Sequence, residues 1–325
     1  MKVVVTGSRG FIGKNLCLFL RENNYEVLEI HRDTPKIDAL SYLSSAGFVF
    51  HLAGINRPEN AIEFKQGNIE FTQFIVDSLI DAGNGAPLVF ASSTQASKNN
   101  DYGKSKLLAE KIIESYYKYA GNDGYIFRLP NVFGKWCKPN YNSFVATFCH
   151  NIMHGKELVI NDESAKVTLA YVDDVCISFM KLIEERPQSG MHYLQNQYDS
   201  TVGEVAKILR EFKDIRDSLI TERVGVGLKR ALYATFLSYT QPEDFSYSIP
   251  SYADSRGVFC EMLKTKDSGQ FSFFTAHPGI TRGGHYHHTK NEKFLVIRGE
   301  AVFKFENINT GERHELTVNG SEPEI

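Results

Sequence analysis

The chain has no Cys-x-x-Cys pair, no apolar run approaching about twenty residues and no block of one charge sign. Each absence removes a class of function. Its five cysteines (Cys17, Cys137, Cys149, Cys176 and Cys260) are odd in number and scattered. That argues against a disulfide framework and a thiolate zinc site, and for a reducing compartment. With no long apolar run, no membrane span is expected, and Met1–Thr6 is too short and too strand-like to be a cleavable leader. The 36 basic and 39 acidic side chains are mixed throughout, for a formal net charge of −3. Neither nucleic acid nor a membrane surface is therefore an expected partner, while a small anionic ligand is compatible. A soluble cytoplasmic protein is expected, and 325 residues give room for one large domain and a smaller one.

What is present starts at the first residue. Val3-Val4-Val5 reads as a strand, Thr6-Gly7 breaks it, and Gly7, Gly10 and Gly13 lead into a helical apolar spacing at Ile12, Leu16, Phe19 and Leu20. Glycines let backbone approach a pyrophosphate and let helix pack on strand, and the helix start offers free N–H groups. The stretch reads as a dinucleotide cradle formed by Gly7, Arg9, Gly10, Phe11, Ile12 and Gly13. A second strand, Tyr25–His31, ends in His31-Arg32. An arginine there suits the 2′-phosphate of NADP, and Arg9 reaches toward the same place; Glu29 and Asp33 stand close enough to serve NAD instead. A third strand, Phe48–Leu52, runs into Ala53-Gly54-Ile55-Asn56-Arg57-Pro58, and Asn68 is read as opening the next helix. Leu52, Ala53, Gly54 and Asn68 join the cofactor set. Leu88–Phe90 is another buried strand, ending at Ser92-Ser93. Alternating strands and helices predict a parallel doubly wound sheet with ligands at the carboxyl ends of its strands.

Tyr102 and Lys106 lie four residues apart at the start of a helix, on one face. An ammonium beside the phenol lowers its pKa and makes the tyrosine a usable general acid, with Ser93 holding the substrate oxygen. The ordered set Thr6-Gly7-x-x-Gly10-x-x-Gly13, His51-Leu52-Ala53, Ser93, Tyr102-x-x-x-Lys106, Arg128-x-x-Asn131-Val132-Phe133-Gly134 and Tyr171-Val172-Asp173-Asp174-Val175 resembles the extended short-chain dehydrogenase/reductases over about residues 1–212. The resemblance implies that Ser93, Tyr102 and Lys106 are catalytic, that Lys106 also touches the nicotinamide ribose, and that the substrate is a nucleotide-sugar.

The segment Lys135–Ser143 reads as a loop at the active-site end, and it holds the only tryptophan. Arg57, Asn131, Lys135, Trp136 and Lys138 are the candidate contacts to a nucleotide diphosphate and base. A short strand (157–160), a helix after Asp173 and a capping box at Thr201-x-x-Glu204 complete the substrate lobe. Between Lys213 and Ser251 the rhythm fades into a connector that packs. Beyond it, short strands surround Gly279-x5-His285-x-His287-x4-Glu292-x6-Gly299. Strand alternation would point His285 and His287 the same way, and with Glu292 they form part of a metal site suited to zinc, iron, manganese or nickel. The spacing resembles the first signature of a cupin barrel; the second signature is missing, so this module reads as truncated.

The expected fold is therefore an α/β Rossmann-like doubly wound domain over 1–245, then a smaller all-β cupin (jelly-roll) module over 246–325 that is incomplete at its end. With Ala53-Gly-x-Asn-Arg-Pro58, the segment Lys135–Ser143, Phe236-Leu-Ser-Tyr239 and His287-His-Thr-Lys-Asn-Glu-Lys-Phe294, the chain taken whole resembles the CapF-type enzymes of capsular polysaccharide synthesis. That resemblance implies NADPH, zinc in the cupin, a homodimer and a UDP-linked 4-keto-6-deoxy amino sugar. The cupin would epimerise C3 and the reductase would reduce C4, giving UDP-2-acetamido-2,6-dideoxy-L-talose. Three alternatives stay open: a 4-epimerase or 4,6-dehydratase of the superfamily, with Thr94-Gln95 after Ser93 counting against the dehydratase; a non-catalytic NADPH-binding scaffold; and a metal-storage or sugar-binding cupin, whose motif is only half present.

Overall fold

The computed structural model describes residues 1–321. Two compact units emerge, Met1–Tyr252 with Phe259–Phe273, and Ala253–Val258 with Phe274–Ile325. The first contains a six-stranded parallel sheet of β1 (Lys2–Thr6), β2 (Glu26–Ile30), β3 (Phe48–His51), β4 (Leu88–Ser93), β5 (Gly124–Leu129) and, beyond the short β6 (Asn131–Phe133) and β7 (Lys166–Tyr171), β8 (Gly190–His192). Its order is β2-β1-β3-β4-β5-β8, so the chain winds outward in both directions from β1 and β3. The register pairs Val5 with Phe50 and Phe50 with Val89.

Helices cover both faces, which is why the central strands β1, β3 and β4 carry near-continuous apolar runs, Val3–Val5, Phe48–Phe50 and Leu88–Ala91, rather than alternating with polar residues. Side chains still alternate between two cores: Val3, Val5, Phe48 and Phe50 point into one, Val4 and Val49 into the other. Each fully buried side chain of this kind stabilises the fold by roughly 2 kcal/mol. The helices are α1 (Phe11–Glu22), α2 (Lys36–Ser44), α3 (Ile62–Phe64), α4 (Phe71–Asp81), α5 (Asp101–Lys118), α6 (Phe144–Met153), α7 (Val172–Glu185), α8 (Val202–Lys213), α9 (Ile215–Ser218) and α10 (Gly227–Leu237). Among the described residues none is long and apolar enough to cross a membrane. The strand β9 (Tyr198–Thr201) completes a small sheet, β6-β7-β9. The capping box is present at α8, where Thr201 accepts from Glu204 N and Glu204 accepts from Thr201 N.

Three local expectations are corrected. Residues 157–160 form no strand: Lys156 N bonds to Asn151 O and Glu157 O accepts from Asn151, so the backbone follows the end of α6 and finds no ladder partner. Asn68 sits inside a wide helical turn, Lys65–Glu70, continuous with α3 and α4, and does not open a helix. His285 and His287 lie on a loop outside any strand, just after Gly283 and Gly284, whose positive φ of 105° and 74° does not suit a strand.

Beyond α10, β10 (Ser251–Asp254) precedes the neighbouring strands β11 (Gly257–Lys264) and β12 (Gln270–Phe274). In the second unit β13 (Glu300–Glu306) and β14 (Arg313–Asn319) pair antiparallel, with Phe303 opposite Leu316. All five cysteines are buried and free.

Candidate active site

The glycine turn, the segment after β3 and the start of α5 converge at the carboxyl ends of β1, β3 and β4. A side chain at Gly7 would lie 2.7 Å from Ala53 N and 3.0 Å from the Leu52 carbonyl carbon, so Gly7, Leu52 and Ala53 form one close-packed floor. Gly7 itself has φ of 68°, where only glycine is at ease. At Gly13 an added carbon would fall 2.2 Å from Gly7 O, which is how closely α1 crosses the turn. Gly10 is different: a carbon there would meet only Gly7 O, at 3.0 Å, and otherwise project into open space. The first turn of α1, which includes Phe11, Ile12 and Gly13, carries no side-chain cap and no acidic residue. Unfilled N–H groups beside an open glycine fit a dinucleotide pyrophosphate.

His51 is the buried hinge of this floor. Its Nδ1 is 2.7 Å from Thr6 Oγ1 and its Nε2 2.8 Å from Thr72 Oγ1. Burial, with a smaller contribution from the Lys106 charge, holds its pKa down to about 3, so the ring is neutral. Asn68 ties the next segment: it accepts from Ile55 N (2.7 Å) and donates to Ile55 O and Ser105 Oγ (both 2.9 Å). A side chain on Gly54 would lie 3.0 Å from Asn68 Oδ1 and 3.2 Å from Lys106 Nζ, so these three meet.

Asn100 caps α5 by accepting from Gly103 N at 2.8 Å, and this aims the first turn at the end of β4. Lys106 is 5% exposed and donates to Ala91 O at 2.8 Å. Burial lowers its pKa to about 8, with the Glu110 carboxylate opposing. Tyr102 departs from expectation: burial raises its phenol above the ordinary value, and only the Ser93 hydroxyl pulls it down. The ammonium expected to lower it bonds instead to the β4 backbone. Ser93 and Tyr102 are thus brought together, with Lys106 one turn further along α5.

The adenosine end is open. His31 is half-buried and its ring accepts from Asp33 N at 3.2 Å; Arg9 pairs with Asp33 at 2.9 Å, and Arg32 is exposed. On the substrate side, Arg57 and Lys138 lie 5.7 and 5.8 Å from the centre of the Tyr141 ring, whose hydroxyl donates to Asn56 at 3.1 Å. Tyr141 and Asn56 were not among the residues expected from sequence, although both lie in segments that were singled out. Trp136 is 51% exposed at φ of 66°, with Lys135 Nζ 5.8 Å from its ring. Lys135 is otherwise committed to Asp173, at 2.5 Å. Asn131 is exposed on β6, with its amide 3.4 Å from Thr168 O, and is not drawn into the Tyr141 group.

In the second unit the ligand atoms of His285, His287 and Glu292 all lie within 4.8 Å of one another. His287 Nε2 is 3.7 Å from Glu292, whose carboxylate also takes Lys290 at 2.6 Å. Two imidazoles and a carboxylate are a donor set that fits zinc, once Lys290 is displaced.

Residues 3–194 match the model of the NAD dependent epimerase/dehydratase family. The chain belongs to that family. Residues 252–325 match a second model, the polysaccharide biosynthesis C-terminal domain. A UDP-2-acetamido-2,6-beta-L-arabino-hexul-4-ose reductase of Pseudomonas aeruginosa is 51% identical over 327 residues, spanning 100% of this chain and 88% of that protein. The crystal structure of the capsular polysaccharide assembling protein CapF from Staphylococcus aureus superposes with a TM-score of 0.93 at 41% identity, covering 100% of this chain and 89% of that one. A UDP-glucose 4-epimerase of Thermotoga maritima, solved with UDP-glucose, shares the fold at a TM-score of 0.63, 21% identity and coverage of 74% and 98%. The chain is thus a CapF-like family member whose near relative is a UDP-sugar 4-ketoreductase.

Proposed function

We propose that this protein is an NADPH-dependent reductase of the C4 ketone in a UDP-2-acetamido-2,6-dideoxy-4-hexulose, yielding the 6-deoxy-L-talose derivative for capsule or O-antigen synthesis. The observation that carries the reading is the meeting of Ser93 and Tyr102 at the end of β4, with Lys106 against Gly54 and Asn68 beside the glycine turn. The 51% identity to a reductase acting on such a sugar supports it.

In this reading the glycine turn and the α1 N-terminus hold the pyrophosphate, Arg9 and Arg32 the 2′-phosphate, and Lys106 the nicotinamide ribose. NADPH, when bound, supplies the hydride that adds to C4. Ser93 donates a hydrogen bond to the ketone oxygen and fixes its direction. Tyr102, a phenol that burial raises further above its ordinary value, gives its proton to that oxygen as charge develops there, a contribution worth about 10² to 10⁴ in rate. Lys106, with its pKa near 8, is cationic at pH 7 and favours the phenolate left behind. Arg57, Lys138 and Tyr141 hold the UDP group.

In the same reading the C-terminal module is a cupin whose His285, His287 and Glu292 would hold zinc, which would supply a Lewis acid for a 4-keto sugar whose C3 proton is acidic. Epimerisation at C3 precedes reduction, and the working form is a cytoplasmic homodimer. The test is ketone-dependent loss of the reduced-nicotinamide absorbance with the purified full chain, with the product identified by NMR. Deuterium incorporation at C3 reports the epimerase separately. Tyr102→Phe is expected to keep NADPH binding and lose turnover; unchanged turnover would sink the assignment.

A further inference from the structure

One turn after Lys106, on the same face of α5, stands a second buried charge. Glu110 is 2% exposed, and its carboxylate takes three hydrogen bonds: from Ser92 Oγ at 2.5 Å and from Arg128 Nε and Nη2 at 2.9 and 2.7 Å. Ser92 immediately precedes Ser93 on β4, and Lys106 donates to Ala91 O, immediately before it. Three consecutive residues of β4 are therefore held or used by the site, two of them from α5. Arg128 reaches the carboxylate from the adjacent strand β5, where it sits opposite Ser92 in the ladder. A carboxylate this buried costs far more to desolvate than one pair recovers in water, unless charged partners surround it. Here they do, yet a neutral side chain would fill the same space at no such cost. The arrangement is the kind expected where the charge itself has a use.

We propose that Glu110, oriented by Arg128, is a positioning residue of the reductase: it holds the charge state of Lys106 and clamps the end of β4 that carries Ser93. This rests on the reading of Ser93, Tyr102 and Lys106 as the catalytic set. The groups facing Lys106 are few. Tyr102 and Glu110 flank it on α5, neutral His51 faces it from β3, the Phe90 ring of β4 lies 4.6 Å from its ammonium, Arg128 stands behind Glu110 on β5, and uncharged Asn68 and the Ala91 carbonyl are also in contact. Glu110 is the one anion among them that favours the ammonium. Without it, Lys106 keeps its burial and loses its counter-charge, and a neutral lysine no longer supports the proton donor at working pH.

The test follows the lysine directly. In cofactor-free full-length protein carrying ¹³C at lysine Cε, the Lys106 resonance is assigned by its absence in Lys106→Met and titrated by NMR. The native midpoint is expected near 8, and Glu110→Gln is expected to move it down by about one unit or more. The alkaline limb of the turnover-against-pH profile should move with it. Ser92→Ala, which removes the clamp and keeps the charge, should lower turnover and leave both midpoints in place. If Glu110→Gln does not fold, the neutral pair Glu110→Leu with Arg128→Met replaces it, and a smaller shift in the same direction is expected. An unmoved Lys106 midpoint in whichever variant folds overturns the proposal. A moved midpoint with an unmoved alkaline limb would show instead that the charge on Lys106 has no part in turnover, and would overturn the assignment of the catalytic lysine.

Discussion

Gly103, the residue after Tyr102, offers the sharpest test of how tightly this site is built. It lies in the first turn of α5, where a β-carbon would come 2.2 Å from Gln95 O and 2.6 Å from Lys98 O. An unstrained carbon–oxygen contact needs about 3.3 Å, so the nearer clash falls short by roughly 1 Å. Both oxygens belong to backbone, and Gln95 O already accepts from Lys98 N at 2.8 Å, so neither can swing aside. Relief must come from moving the helical turn Thr94–Ser97, which begins directly after Ser93, or the start of α5, which carries Tyr102. Either changes the separation of Ser93 and Tyr102, the two groups that address the same oxygen in the proposed reaction. A misplacement near 1 Å costs about a hundredfold in turnover, or ~2.7 kcal/mol of barrier. Overpacking should also destabilise the fold by about 1 to 3 kcal/mol. The assay is turnover and NADPH affinity of Gly103→Ala, with its thermal midpoint. Affinity should stay within a few-fold, because the glycine turn lies on β1 and α1. A folded variant with near-native turnover would refute the reasoning.

Replacing both Arg9 and Arg32 by alanine should weaken NADPH at least about tenfold and leave NADH nearly unaffected; equal losses measured by fluorescence titration would remove the NADP preference. His285→Ala should lose bound zinc by elemental analysis and abolish C3 deuterium exchange while reduction of the already epimerised 4-ketone persists, and full zinc retention would place the ion elsewhere. His51 is held neutral, with its pKa lowered to about 3. Its folded pKa lies below the unfolded value near ~6.5, so the stability it contributes is complete above that value and is lost as pH falls toward 3. His51→Gln should flatten the fall of thermal midpoint with pH across that window, and an unchanged slope would show that another group titrates there.

Much of the first unit is legible along the chain because its signals are local. A β-branched run breaking into Gly7, Gly10 and Gly13 is a strand, a turn and a helix whatever surrounds it. Tyr102 and Lys106 share a face because a helix repeats every 3.6 residues, and Thr201 with Glu204 makes its capping box within one turn. The failures are equally instructive. Residues 157–160 end in an apolar Leu-Val-Ile run that suits a strand, but a strand needs a partner edge, and here the backbone is held by Asn151 instead. His285 and His287 approach each other with Glu292 on a loop, so alternation was the wrong reason for a convergence the fold produces by other means.

What the sequence alone determined, then, is the strand, turn and helix around Gly7, Gly10 and Gly13 and the shared helix face of Tyr102 and Lys106, both of which follow from spacing within single elements. Only the tertiary structure decided where the charges go. Lys106 turns to the Ala91 carbonyl, Tyr102 is raised by burial and not lowered by the ammonium, Arg9 pairs with Asp33, and Glu110 meets Arg128 and Ser92 across three elements. The physical reason is that an ionisation state depends on burial and on partners distant in the chain, and no periodicity records which strand will stand next to which helix.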